Sequence, residues 1–263
     1  MPPKILVISG PTASGKTRLA VELALRHGGE VVSADSMQVY RRMDIGTAKP
    51  TPEEMRGIPH HMLDVADPEE DFSVARYVEL AAPCVDDILA RGKLPIVAGG
   101  TGLYLDSLLS GRTFAPFSPD GGLRARLEAR FDALGGEAML GELAAADPEA
   151  AARLHPNDRK RIVRALEVFQ QTGKTISQHN RETRALPLRY DALTLSLAFQ
   201  RREDMWARID RRVDEMMAAG LAEEVRALLD SGVPVRCTAM QAIGYKEMAA
   251  ALRGGGDVCA AAE

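Results

Sequence analysis

Lys4-Ile5-Leu6-Val7-Ile8-Ser9 runs straight into Gly10-Pro11-Thr12-Ala13-Ser14-Gly15-Lys16-Thr17, and Leu19, Leu23 and Ala24 follow at helical spacing before Gly28-Gly29. The first six residues form a short apolar run of the kind that makes a strand buried on both faces. The octapeptide fits G-x-x-x-x-G-K-[ST]. Its glycines let backbone N–H groups converge on an anion. Lys16 adds a point charge, Thr17 offers a hydroxyl to Mg²⁺, and the start of the following helix adds its partial positive charge. Strand, glycine-bounded loop and helix together predict a diphosphate or triphosphate site on an α/β core. The motif alone does not say which phosphate ester binds.

The alternation continues outward from that loop. Glu30–Ser33 reads as a second strand ending near Asp35, 41–59 as a long loop, and Met62–Val65 as a short strand. Ser73 caps a helix with apolar positions Val74, Tyr77, Val78, Ala81, Val85, Ile88 and Leu89, in which Pro83 predicts a kink or break. Leu94–Ala98 is another buried strand. Strands alternating with helices make a parallel α/β sheet the natural architecture. From 111 to 190 the alternation stops, and Pro116, Pro119, Gly121-Gly122 and Gly135-Gly136 punctuate helices and loops. Asp191–Ala198 resumes a strand pattern, and helices follow near 202–219, 221–231 and 239–252. The expected organisation is a P-loop α/β core over 1–112 and 191–263 with a helical insertion over 113–190.

Composition narrows the class. The chain has 263 residues, 46% hydrophobic and 27% charged, ordinary for a globular protein. No apolar run approaches the ~20 residues needed to span a bilayer. No signal-peptide pattern opens the chain, so the cytoplasm is the expected compartment. Cys84, Cys237 and Cys259 form no CxxC pair, and neither a disulfide framework nor a zinc site is expected. His60-His61, adjacent in sequence, has poor spacing for two ligands on one face. The net charge of −4 argues against a nucleic-acid binder, but its distribution does not. Between Arg153 and Arg189 nine Lys/Arg face three acids, a local excess of +6 that leaves −10 on the rest of the chain. Such polarity suits one polyanion-facing side, and equally a solvated charged face.

Two further segments bear on chemistry. Asp35-Ser36-Met37-Gln38 lies at the carboxyl end of the second strand, beside the crevice where open α/β sheets bind ligands. Asp35 there serves as a general base, a Mg²⁺ partner or a turn cap. Gly99-Gly100-Thr101-Gly102 ends the strand where many P-loop NTPases place a magnesium-organising carboxylate, and here there is none. That weakens ATP hydrolysis and a small-molecule kinase as readings. The glycines there predict close backbone approach, with a large substrate as one candidate neighbour.

Read in order, Gly10–Thr17, Asp35-Ser36 with Gln38-Val39-Tyr40, Met43–Pro50 (MDIGTAKP), Pro59–Asp64 (PHHMLD), Gly99–Tyr104 (GGTGLY), Asp158–Glu167 (DRKRIVRALE) and Gln241–Glu247 (QAIGYKE) closely resemble the tRNA dimethylallyltransferases. The matches run from residue 5 to about residue 250. The resemblance implies transfer of a dimethylallyl group from dimethylallyl diphosphate to N6 of the adenosine next to a tRNA anticodon, with Mg²⁺ as cofactor, by a monomer. It implies that Gly10, Pro11, Thr12, Ala13, Ser14, Gly15, Lys16 and Thr17 hold the donor diphosphate, with Thr17 on the metal. It implies Asp35 as the base, Thr12 beside the reacting groups, and an arginine of the Arg208–Arg212 segment on the leaving diphosphate. Arg208 and Arg212 fit that segment's R-I-x-x-R pattern, and Arg211 stays open beside them. Positions matching tRNA contacts are Asp35, Ser36, Met37, Gln38, Thr101, Leu123, Arg159, Lys160, Arg161, Ile162, Val163 and Arg164.

The reaction also makes sense of the residues. Bond breaking builds charge on the departing diphosphate, which amides, Lys16, Mg²⁺ and an arginine stabilise. A carboxylate at hydrogen-bond distance helps a weak aromatic amine attack. On the helix carrying Asp158–Glu167, Arg161 and Arg164 share a face, as do Lys160 and Arg164, while Ile162, Leu166 and Phe169 pack inward. A related reading has the same chemistry act on free adenine nucleotides, which the basic insertion disfavours. A non-catalytic RNA-binding module is disfavoured by the intact Lys16, Thr17 and Asp35. The family pattern continues past Gln241–Glu247 with another basic helix before a C-terminal aromatic segment, so the resemblance leaves two readings of the end at Glu263: a C-terminal part of the core that is truncated, or a version that is short there.

Overall fold

The computed structural model describes residues 2–111 and 121–256. Pro116, Pro119, Asp257 and Cys259, and the expected junction at residue 113, lie outside them. In chain order the elements are β1 (Lys4–Ser9), α1 (Lys16–His27), β2 (Gly29–Ser33), α2 (Pro52–Met55), β3 (His60–His61), α3 (Val74–Ala90), β4 (Leu94–Gly99) and α4 (Gly102–Leu109). Then come α5 (Gly121–Leu134), α6 (Gly136–Ala146), α7 (Pro148–Ala151), α8 (Arg159–Thr172) and α9 (Ile176–Arg184). The chain closes with β5 (Asp191–Ser196), α10 (Arg202–Ala218), α11 (Leu221–Asp230), a 3-10 turn at Ala239–Gln241 and α12 (Tyr245–Gly254). Contacts divide it into two compact units, Met1–Leu109 with Arg189–Glu263, and Ser110–Leu188.

The first unit is built on a five-stranded sheet in the order β3-β2-β4-β1-β5, and every adjacent pair is parallel. Parallel strands need crossover helices on the sheet faces, which is why β1, β2 and β4 read as continuous apolar runs. On one face α3 and α4 cover Ile5, Val7, Val32 and Val97 with Tyr77, Val85, Ile88 and Leu108. On the other, Ala20 and Ala24 of α1 pack on Leu6, Ile8, Val31 and Ile96. Each fully buried Val, Leu or Ile contributes about 1.5–3 kcal/mol relative to exposure. A separate cluster joins α11 and α12 to Val39, Tyr40, Met43 and Ala66. The strand ends that matter are set by β1 and β4, paired from Leu6–Ile96 to Ser9–Gly99, and by β2, whose Ser33 pairs with Ala98.

Several local expectations are corrected. The strand placed at Met62–Val65 is instead His60–His61, because Met62 (φ 66°) and Asp64 (φ 55°) adopt left-handed backbone that cannot extend a strand. The 41–59 loop contains α2, which Thr51 and Glu54 close with a reciprocal capping box. Pro83 neither breaks nor ends α3, which runs on to Ala90. The ring forgoes one helical hydrogen bond, and buried Tyr77, Ala81, Ala82, Val85 and Ile88 hold the helix to the sheet on both sides of it. The helix expected over 239–252 starts only at Tyr245, since Gly244 at φ 90° separates it from the 3-10 turn. β5 stops at Ser196 rather than Ala198, although the Leu197 amide still donates to the Ser9 carbonyl.

One polar group sits deep in this unit. Glu30 of β2 is 2% exposed, and its carboxylate accepts from Arg91 (2.8 Å), Lys93 (2.7 Å) and His61 (2.8 Å). The Arg91 hydrogen bond, opposed by burial and reinforced by Lys93 and His61, holds the carboxyl well below the ordinary value of 4.5. A depressed folded value means that this stabilisation is complete above 4.5 and is lost as the pH falls below it. Glu30→Ala is therefore expected to lower stability by about 3 kcal/mol near neutral pH, the low end for breaking a buried ion pair. Urea unfolding from about pH 7 down to about pH 3 should show the variant's deficit shrinking with acid. A pH-independent deficit would assign the loss to packing.

The second unit is helical. Leu127 of α5, Met139 and Leu143 of α6, and Ile162, Val163 and Leu166 of α8 make its core. Asp147, 3% exposed, joins α7 to α9 by accepting from the Ala150 and Ser177 amides at 3.0 Å each.

Candidate active site

The Gly10–Thr17 loop leaves β1 and turns tightly into α1. Gly10 has φ 152°, and a Cβ there would lie 2.8 Å from the Leu197 carbonyl oxygen. Gly15 (φ 89°) sits in the left-handed region just before Lys16, and Ala13 (φ 60°) adopts it without being glycine. Non-glycine residues there are uncommon and concentrate at functional turns. Lys16 arches back over the loop, its Nζ donating to the Gly10 (2.9 Å) and Pro11 (2.7 Å) carbonyls. An ammonium has three donors, so one remains. Ser14 Oγ is buried with no hydrogen-bond partner.

Asp35 and Arg212 belong to the same neighbourhood. Burial pulls the Lys16 ammonium below its ordinary value, Asp35 opposes this, and Arg212 adds to it. Burial likewise lowers Arg212, again against Asp35. Asp35 thus acts on both partly desolvated cations, and Glu54 and Glu215 act on Arg212 as well. Arg212 Nε is buried and unpartnered. Both orphaned donors, Ser14 Oγ and Arg212 Nε, are of the kind an anion satisfies.

The Asp35 turn is tightly specified. Asp35 Oδ1 accepts from the Met37 (2.9 Å) and Gln38 (3.4 Å) amides, an Asx-type turn that leaves Oδ2 without a hydrogen bond among the described residues. Thr101, from the Gly99–Tyr104 segment, binds the same turn. Its Oγ1 accepts from the Ser36 amide at 3.0 Å, and its own amide donates to the Ala34 carbonyl at 3.1 Å. The glycines around it allow backbone to approach backbone: a Cβ on Gly99 would lie 2.1 Å from the Ala34 carbonyl oxygen. The close neighbour expected to be a large substrate is, at Gly99, the β2 strand end. Gly100 approaches the phosphate loop, 3.8 Å from the Gly10 oxygen by the same measure. Gln38 spends its amide internally, with Nε2 donating to the Thr47 (3.3 Å) and Ala48 (3.1 Å) carbonyls and Oε1 accepting from Ser33 (3.2 Å).

Of the three arginines left open by sequence, Arg212 is half-buried and within electrostatic reach of Lys16 and Asp35. Arg208 is exposed, donates to the Ala13 carbonyl at 3.3 Å and lies over the Phe199 ring at 5.6 Å. Arg211, exposed, lines with Ser14, Phe199, Gln200, Asp204 and Arg208 a cavity of about 540 Å³ beside the loop. Sequence reasoning missed Ser14's buried hydroxyl as anything beyond a motif position, and Phe199 altogether; no periodicity marks a single residue after a strand.

The other expected tRNA positions lie in the helical unit, and part of that expectation is corrected. Ile162 and Val163 are 0% and 3% exposed in the helical core, so their side chains cannot meet RNA. Leu123 is packed against the same cluster. Arg164 is half-buried and donates at 2.8 Å to Glu167, a buried carboxylate that also accepts from Arg124. Arg164 thus shares the one charge of Glu167 with Arg124. Arg159 bonds Asp132 at 2.8 Å, Arg161 lies 3.4 Å from Asp158, and Lys160 is exposed. Among the described residues, no group of three or more His, Cys, Asp or Glu is placed to hold a metal, and His61 is engaged by Glu30. Cys84 and Cys237 are free thiols. Among the described residues, no helix is long and apolar enough to cross a membrane.

A parallel sheet with a lysine-bearing phosphate loop after β1, an arginine and a carboxylate beside it, and a glycine turn where hydrolases carry an acid defines a P-loop group transferase. The pattern described as IPP transferase matches residues 38–263, and that of isopentenyl transferase matches 3–70. A tRNA dimethylallyltransferase of Trichlorobacter lovleyi is 52% identical over 254 residues, 97% of this chain and 83% of the relative. The full-length tRNA isopentenylpyrophosphate transferase of Bacillus halodurans superposes with a TM-score of 0.68 at 43% identity, covering 98% of this chain and 80% of that one. A eukaryotic dimethylallyltransferase acting on tRNA gives 0.82 at 31% identity, covering 99% and 65%. The chain belongs to the tRNA dimethylallyltransferase family and is a prenyltransferase of tRNA modification.

Proposed function

We propose that the chain transfers a dimethylallyl group from dimethylallyl diphosphate to N6 of adenosine 37, beside the anticodon of tRNA, acting in the cytoplasm as a monomer. The observation that carries the site assignment is the meeting of Lys16, Arg212 and Asp35 at the ends of β1 and β2, with buried Ser14 Oγ and Arg212 Nε left without partners. In this reading the Gly10–Thr17 amides, Ser14, Lys16 and Arg212 bind the diphosphate, and Arg208 and Arg211 flank it.

As the donor C–O bond breaks, negative charge grows on the diphosphate, where the loop amides, Arg212 and the donor that Lys16 has left would stabilise it. The N6 lone pair forms the new C–N bond, and the amine proton passes to Asp35, whose Oδ2 is left available by the turn. Oδ1, tied to two amides, fixes the carboxylate's direction. Thr12, exposed on the loop, sits beside the reacting groups. Ser36, Met37 and Thr101 border the adenosine, while Gln38 supports the turn from behind. Adenosine must leave its stack, at a cost of a few kcal/mol that is least in a single-stranded loop such as the anticodon's.

Mg²⁺ fits here only in a lightly liganded form. Thr17, at the start of α1, would be the residue to offer it a hydroxyl, as suits a hard cation that takes oxygen ligands. When bound, it neutralises charge on the diphosphate.

The 113–190 insertion is proposed to hold the anticodon stem. Lys160 and Arg161 on α8 make the phosphate contacts, with Arg159 anchored to Asp132 behind them. Lys160→Glu with Arg161→Glu is expected to weaken tRNA binding, flattening the slope of log K against log salt by about 0.7–0.9 per lost contact. Donor binding should be untouched. Filter binding across a salt series checks this, and an unchanged slope would remove α8 from the interface. The function as a whole is tested by incubating the protein with tRNA, Mg²⁺ and labelled dimethylallyl diphosphate. The label should appear on one adenosine after nucleoside digestion, and label on free adenine nucleotides alone would reassign the acceptor.

A further inference from the structure

Glu224, half-buried on α11, gathers several donors from a distant loop. Its Oε2 accepts from the Asp44 (2.8 Å) and Ile45 (2.9 Å) amides, and its Oε1 accepts from the Gly46 amide (3.2 Å) and the Tyr245 hydroxyl. Three consecutive backbone donors converging on one carboxylate form a nest, an arrangement that only an ionised acceptor satisfies fully. The loop is pressed onto this grip. A Cβ on Gly46 would lie 2.5 Å from the Tyr245 ring and 2.8 Å from Leu221, so Gly46 is the one residue type that allows the approach.

The gripped loop leads directly to the proposed base. After Gly46 the chain turns tightly, the Ala48 amide donating to the Ile45 carbonyl (2.9 Å) and the Lys49 amide to the Asp44 carbonyl (2.9 Å). This turn aims the Thr47 and Ala48 carbonyls at Gln38 Nε2. Both amide hydrogens of Gln38 are thereby committed, which also fixes which end of the amide faces Ser33. Lys49 braces the turn by bonding the Tyr40 carbonyl (2.9 Å), Asp44 and Asp64 (2.7 Å). Gln38's own amide then donates to Asp35 Oδ1. A path of hydrogen bonds and intervening backbone therefore runs from Glu224 through residues 44–48 to the Gln38 side chain, and from the Gln38 backbone amide to Asp35. None of it touches Lys16 or the phosphate loop.

We infer that Glu224 is a positioning residue for the acceptor half of the reaction: by locking the 44–46 amides it sets the orientation of the Asp35 turn, and it leaves donor binding to the phosphate loop. The inference rests on Asp35 being the base. Small displacements of a reacting group cost up to about 100-fold in rate. Glu224→Gln keeps the side chain's size but turns an amide NH₂ toward backbone donors, so the nest loses an acceptor. Its kcat for tRNA prenylation should fall at least about tenfold, while dimethylallyl diphosphate affinity by calorimetry stays within about twofold. Tyr245→Phe, which removes a single bond, should shift kcat the same way by less.

The decisive variant is the double substitution. Because Glu224 acts through Asp35, adding Glu224→Gln to Asp35→Ala should cost nothing further, whereas independent effects would multiply. All assays are run well below each variant's unfolding temperature. Undiminished kcat in Glu224→Gln, a parallel loss of donor affinity, or a multiplicative double variant would each overturn the inference. If Asp35→Ala itself turned over normally, the base assignment would fall first, a result separable from the failure of Glu224 alone.

Discussion

Asp35→Ala should cut prenyl transfer by about 100-fold or more, the scale of lost acid–base help, while binding dimethylallyl diphosphate nearly as tightly as the parent protein. The structure makes a sharper version available. Oδ1 holds the turn through the Met37 and Gln38 amides, and Oδ2 is the oxygen left for the proton. Asp35→Asn retains an oxygen for the turn but cannot take a proton. It should fold as stably as the parent and still lose about 100-fold in single-turnover rate. Asp35→Ala, losing both oxygens, should be slower and also less stable. Quench-flow with labelled donor and saturating tRNA separates the two. Single-turnover rates near the parent's in Asp35→Asn would remove the proton-transfer role and leave only the turn.

Lys16→Ala should strike both binding and chemistry. A charge-assisted hydrogen bond is worth about 1.5–3 kcal/mol, so donor affinity should fall by about 10- to 150-fold. Lost stabilisation of the growing charge should add a fall in kcat of about 10²–10³. Burial lowers both Lys16 and Arg212, against Asp35 in each case and against Glu54 and Glu215 for Arg212, so a bound diphosphate would favour both charged forms. Lys16→Arg should not restore function, because a planar fork cannot replace a compact ammonium that bends back to the Gly10 and Pro11 carbonyls. Calorimetry with dimethylallyl diphosphate measures the first effect, and unchanged affinity in Lys16→Ala would move the diphosphate away from this loop.

Most of the α/β frame was readable because its signals are local. Ile5–Ile8, Val31–Val32 and Ile96–Val97 are short apolar runs that fit a doubly covered strand, and the glycines and lysine of residues 10–16 state their chemistry within seven positions. Local signals failed where backbone or partner decided the outcome. Left-handed Met62 and Asp64 ended a strand that composition would have extended, and buried contacts on both sides of Pro83 kept a helix that propensity would have broken. On α8 the basic residues looked equivalent. Packing then assigned Ile162 and Val163 to the core, and Arg164 turned to Glu167, which it shares with Arg124.

What the amino-acid order determined by itself was a phosphate loop on a parallel sheet, a carboxylate one strand away and a basic helical insertion, since each is written in residues adjacent along the chain. Only the tertiary structure decided that Arg212 rather than its neighbours is the buried cation near Asp35 and Lys16, that the glycines at 99–100 bring strand ends and loop together, and that Glu224 reaches back to grip residues 44–46. Those are contacts between segments up to about 200 residues apart. Their strength depends on burial and on donors converging in space, quantities that no short window of sequence contains.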